Sequence, residues 1–158
     1  MSEVTEQTKL RNVIRHIQGV SENCNELAFR LSERGEQDFA RRLIANGLIH
    51  DNSKLSGIEW ECLHSGEEKK LFDEALHHHV TTNMHHSEFW GKEGVHDMPR
   101  IYIGEMVADW KQRSSEFGTD FNEWVTEVAT KKYNFDFRSK AGKEIKDFVS
   151  LILDKSFA

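Results

Sequence analysis

Apolar residues recur at three- and four-residue spacing along almost the whole chain, which confines it to helices packed on one another. The first stretch carries Leu10, Val13, Ile14, Ile17, Val20, Leu27, Ala28 and Leu31 and predicts a helix over about 9–31. Gly35 breaks it, and Phe39, Ala40, Leu43, Ile44 and Gly47 share a face in a second helix over about 36–51. Ser56-Gly57-Ile58-Glu59 and Ser65-Gly66-Glu67-Glu68 both fit a capping box, so helices are expected over about 57–64 and 67–80. Residues 81–97 read as a long irregular connection. Pro99 favours a helix start, and Ile101, Tyr102, Ile103, Met106, Val107 and Trp110 carry that helix to about residue 113. Asp120 with Glu123 can cap a helix over about 121–133, and Ile145, Phe148, Val149, Ile152 and Leu153 mark a last one. Tyr133 to Phe137 alternates, but a single short segment has no partner to pair with. The expected fold is an all-α bundle of about six to seven helices in one domain spanning 1–158.

Four Trp and ten Phe supply the volume for one core, and a single Pro with no low-complexity linker gives no domain boundary. No apolar run is long enough to span a bilayer, and the start of the chain (Met1-Ser2-Glu3-Val4-Thr5-Glu6) is polar, unlike a signal peptide. A cytoplasmic protein with no membrane partner is expected, in which Cys24 and Cys62 are reduced thiols. The formal net charge of −6 opposes binding to nucleic acid. A small phosphorylated ligand stays compatible with it, because bound metal ions reverse the field locally. An oligomer is neither required nor opposed.

The chemistry concentrates in histidines. Nine are present, and five of them fall between positions 77 and 86. His50-Asp51 closes an apolar run, and Lys54 follows three residues later. A neutral imidazole and a carboxylate side by side suit a divalent metal. An Asp at the end of a helix is poorly placed against the helix dipole unless a cation compensates. His16 projects to the flank of the first stripe. His79 projects to the middle of the fourth helix's apolar face and His78 to its edge, whereas His77 points away. His64 has no partner pattern and reads as surface. Asp109 lies between Tyr102 and Met106 in projection, where an unpaired carboxylate would be costly to bury. Glu105, one turn earlier, is a candidate partner. Gly47, one turn before Asp51, would let another backbone or a ligand come close. The last two helices carry no chemical cluster and are assigned to the core and to a wall of the site. A purely structural reading would need separate partners for all these groups.

The order His16, His50-Asp51, His cluster, Asp109 resembles the HD superfamily of metal-dependent phosphohydrolases. His50-Asp51-Asn52-Ser53-Lys54 looks like the HD-x-G-K motif of its phosphodiesterase branch, with Ser for Gly. The chain also resembles a narrower, uncharacterised HD-like family of small bacterial and phage proteins. That family carries HDLSKF, a His-rich segment ending N-P-H-H-x-x-Y-W, and E-M-V-A-D-W. Residues 105–110 match the last completely, while Thr81 replaces a His and Met84 the Pro of the middle segment.

The resemblance implies a first metal on His16, His50, Asp51 and Asp109, and a second on His79 with one or both of His85 and His86. Manganese, iron, cobalt, nickel and zinc all suit such donors. It implies hydrolysis of a nucleotide or other small phosphate ester by a metal-activated water, with Lys54 on the phosphate. Glu88 is the candidate proton carrier, and Asn83, Phe89 and Trp90 are candidates for holding the substrate, the aromatics by stacking on a base. A di-iron oxygenase on the same scaffold is the alternative. A non-catalytic phage protein engaging a host factor, in the host cytoplasm, is a third.

Overall fold

The computed structural model describes residues 5–153, and among them every regular element is helical. The elements are α1 (Glu6–Glu33), α2 (Gln37–Ile49), α3 (Gly57–Cys62), α4 (Lys69–Thr82), α5 (Arg100–Phe117), α6 (Phe121–Trp124), α7 (Thr130–Lys132) and α8 (Lys140–Leu153). A π-helical turn, Val125–Ala129, joins α6 to α7 in one continuous rod. Counted as rods, the described residues form seven helices around one core. Two 3₁₀ segments, Asn52–Leu55 and Ser87–His96, complete the inventory of described elements.

The core is built around α5. Ile101, Ile103, Met106, Val107, Ala108 and Trp110 are all buried, so this helix is covered on nearly every face. α1, α2 and α8 pack against it. Two glycines permit the close approach. A Cβ on Gly47 would lie 2.8 Å from Cys24 Cβ of α1, and one on Gly104 would lie 3.2 Å from the Phe148 ring of α8. Asn23 of α1 donates its side-chain N–H to the Ala108 carbonyl at 3.0 Å, which fixes α1 along α5. The approach expected at Gly47 is therefore made by a neighbouring helix.

Several expected boundaries move. α1 starts a turn earlier because Thr5 accepts from Thr8 N–H and caps it. Neither expected capping box forms: Ser56 precedes α3 without a side-chain cap, and α4 begins only at Lys69. Asp120 does cap, accepting from Glu123 N–H at 2.8 Å. α5 runs one turn past residue 113, to the left-handed Gly118 (φ 67°), and that extra turn brings Glu116 to the site. Ile44, expected on the buried face of α2, is 37% exposed. Cys24 and Cys62 are unpaired.

The π turn sets the register of a wall. Trp124 and Tyr133 are nine residues apart, which at about 100° per residue would place them on opposite sides of an α-helix. A π turn closes i→i+5 and absorbs about one residue, bringing them to within about 80° of each other. Both rings accordingly meet Trp110, with centroids at 5.4 Å (Trp124) and 5.0 Å (Tyr133).

Candidate metal centre

Four helices and one connection each deliver part of a single buried cluster. His16 comes from the middle of α1, His79 from the last turn of α4, and Asp109 from α5. His85 and His86 come from the short link between α4 and the 3₁₀ segment. His50 caps the end of α2 with non-helical backbone angles (φ −51°, ψ 130°), and Asp51 follows in the left-handed region (φ 54°, ψ 23°). A residue with a Cβ held there costs about 1–2 kcal/mol. Such strain concentrates at functional sites.

Asp51 is 1% exposed and sits at the centre. Its Oδ2 lies 3.3 Å from His16 Nε2 and 3.4 Å from His50 Nε2. Its Oδ1 lies 3.5 Å from His79 Nε2 and 3.2 Å from His85 Nε2. Asp109 Oδ1 lies 3.2 Å from His16 Nε2, and its Oδ2 3.6 Å from His85 Nε2. His86 Nε2 is 2.9 Å from His79 Nε2. Two sets of donor atoms are each mutually within 4.8 Å: His16, His50 and Asp51, and Asp51, His79, His85 and His86. Asp51 belongs to both, one carboxylate oxygen facing each set. A third set, His50, His85 and Asp109, links them.

The outer nitrogens of these rings are held by glutamates. Glu105 accepts from His50 Nδ1 at 2.9 Å and faces His85 Nδ1 at 3.1 Å. Glu116 accepts from His16 Nδ1 at 2.8 Å, and Glu59 from His79 Nδ1 at 2.8 Å. Four imidazoles thus turn Nε2 inward because a carboxylate fixes Nδ1, the arrangement metal-ligating histidines adopt. At the centre, His16 Nε2, His50 Nε2, His85 Nε2, both Asp51 oxygens and Asp109 Oδ1 are buried without an aligned hydrogen-bond partner. Leaving such atoms unsatisfied costs about 1–3 kcal/mol each. One or two cations in their midst would satisfy all six, so the donor set fits a divalent metal.

Protonation tells the same story. Burial opposes charge on His16, but Asp109, Asp51 and Glu116 outweigh it and lift its pKa to about 9. His85 rises to about 10 in the same way, against burial, through Asp51 and Glu105. His50 is also raised, mainly by Asp51 against the effect of burial. Burial works against ionisation of Asp51 and Asp109 too, yet the surrounding imidazoles hold both well below the carboxylate range. His86, buried beside His85 and His79, falls to about 3. The carboxylates retain protons on the nearest imidazoles, and a metal ion bound at the same point would displace those protons.

All seven expected metal-site residues therefore come together, including both His85 and His86, and His79 is the one of its pair turned inward. His78 bonds Glu59 from outside and is half exposed. Lys54 Nζ reaches Asp51 Oδ2 at 2.8 Å. The other expected substrate groups are not brought in. Asn83 spends its amide on Ser53 Oγ and the His79 carbonyl, bracing the turn around the cluster. Trp90 donates its indole N–H to the Met84 carbonyl and packs on Tyr102, and Phe89 packs on Trp90. Glu88 is exposed, accepts from Ser87, and lines an outer hollow with Lys92 and Asn134.

A cavity of about 410 Å³ opens onto the cluster elsewhere. Asp109, His85 and His86 form its inner end, Trp110, Trp124, Tyr133 and Phe117 its aromatic walls, and Arg113 and Lys132 its cations. Of the last two helices, the rod with Trp124 and Tyr133 supplies a wall and α8 only core, and which aromatics line that wall was not legible without the π turn. Glu59 and Glu116 also went unread. A signal for Glu116 existed, since Glu105, Asp109 and Glu116 share one face of α5 at i, i+4 and i+11.

A family model described as a family of unknown function (DUF5662) matches residues 5–155. No curated protein and no solved structure matches the chain.

Proposed function

The chain belongs to the DUF5662 family, whose function is unknown, and we propose that it is a metal-dependent phosphohydrolase acting on a small phosphate ester such as a nucleotide. The observation that carries the reading is the convergence of buried, unpartnered Nε2 and carboxylate atoms on one point, with glutamates behind the rings. His16, His50, Asp51 and Asp109 would hold one ion, and Asp51, His79, His85 and His86 a second. Such ions lower the pKa of a water and neutralise charge on a phosphoryl group. Glu105, Glu116 and Glu59 keep the rings in one tautomer and orientation. Lys54, a point charge beside Asp51, binds a non-bridging phosphate oxygen. The aromatic cavity beside Asp109 holds the leaving group and keeps water from it. Purified protein reloaded with each metal and offered deoxynucleoside mono-, di- and triphosphates and cyclic dinucleotides should hydrolyse at least one, read as freed phosphate or, for the cyclic dinucleotides, as the ring-opened phosphomonoester. No hydrolysis with any metal contradicts the reading.

Replacing Trp124 by Ala should raise KM for a substrate with a planar base about 10-fold, because base–aromatic stacking is worth roughly 1–3 kcal/mol. Metal content should stay at the wild-type level. Titration calorimetry in buffers of differing ionisation enthalpy checks the proton count. His16 and His85 hold protons at pH 7 and must lose them to ligate, so metal binding should release protons and tighten as pH rises.

The wealth of imidazoles in the second set favours one other reading, a di-iron oxygenase. Iron retained through purification, with an oxygen-dependent optical change and no phosphate release, selects it over the hydrolase.

A further inference from the structure

α1, the 3₁₀ turn after α2, and α3 with its following loop enclose a second hollow, about 150 Å³ in volume. It shares no lining residue with the aromatic cavity, yet it too reaches the cluster, because Lys54 and Glu59 lie in its wall. Two lysines face it. The Lys9 side chain is only 10% exposed and that of Lys54 only 11%. An ammonium carries three N–H donors and is rarely covered without matching acceptors. Among the described residues Lys9 has one long contact, Glu6 Oε1 at 3.6 Å, and lies over the Trp60 ring at 4.7 Å. Lys54 meets Asp51 on its cluster side. Both oxygens of Glu59 are engaged, by His78 on one side and by His79 and Ser53 on the other. Asn12 and Ser65 add neutral polar groups at the rim. Two covered cations with spare donors, in a space too small for a nucleoside, describe a receptor for a tetrahedral oxyanion.

We infer that this hollow binds inorganic phosphate or a terminal phosphoryl group between Lys9 and Lys54. On the hydrolase reading, on which only its biological sense rests, it is where phosphate is held after the ester is cleaved. The affinity itself requires no turnover. Calorimetry with inorganic phosphate on the full chain, metal-loaded and chelated, tests it. Wild type should bind in both forms, and more weakly as salt rises. Lys9→Met should weaken binding about tenfold or more, because an ionised donor is lost. Lys9→Arg should retain most of the affinity, and Lys146→Met, which removes the same charge from an exposed site on α8, should change nothing. Equal affinity in Lys9→Met and wild type overturns the inference, as does binding that vanishes on chelation. Lys9-dependent binding without turnover of any ester removes the hydrolase reading and leaves this site standing. Turnover with Lys9-independent binding does the reverse.

Discussion

Asp51→Asn should purify with less than about a tenth of the wild-type metal and lose at least about 10³-fold in phosphate release, an effect of the size seen when a group acting directly on the reacting centre is removed. The reason is position. One oxygen faces His16 and His50 and the other faces His79 and His85, so a single carboxylate serves both donor sets. An amide keeps the shape but offers one neutral oxygen and an N–H that repels a cation. Asn also tolerates the left-handed backbone at this position, so the variant should fold. Ala would confound the result, since it adds strain at a left-handed backbone position that Asn tolerates. Elemental analysis beside a thermal melt separates loss of metal from loss of fold. An Asp51→Asn protein with full metal content contradicts the assignment.

Metal loading should raise the melting temperature by about 8–16 °C. Saturation at a thousand times Kd adds about 4 kcal/mol. For a chain of this size each kcal/mol moves the midpoint by roughly 2–4 °C. The chelated protein should also have a distinct pH profile. The pKa values of His16 and His85 are raised from 6.5 to about 9 and about 10. Their contribution to stability is therefore complete below pH 6.5 and is lost as pH climbs through 9 and 10. The chelated form should melt lower at pH 10 than at pH 7, and metal should close that gap. A melting temperature indifferent to metal at every pH speaks against a buried ion.

Periodicity made the bundle legible because a helix facing a core must repeat its apolar side, and α1, α2 and α8 do so plainly. The metal-site residues were legible for a related reason. A polar side chain on an apolar stripe needs a partner, and His16, His79 and Asp109 each stood on such a stripe. Sequence alone could not show the conformation at Asp51, where a single left-handed residue turns the carboxylate to the centre. It also hid the groups that act through distance. Glu59 reaches His79 across 20 residues, and Glu116 reaches His16 across 100. Trp90 and Phe89 were candidates for stacking on a base, but a carbonyl at Met84 and the ring of Tyr102 claim the indole. The aromatic wall belongs to Trp124 and Tyr133 instead, which one π turn brings to the same side.

Anomalous diffraction from crystals of the metal-loaded protein tests the central claim most directly. Two peaks are predicted: one bounded by His16, His50, Asp51 and Asp109, the other by Asp51, His79, His85 and His86. A loaded crystal with no peak between those side chains, or with its ions only at surface carboxylates, contradicts it.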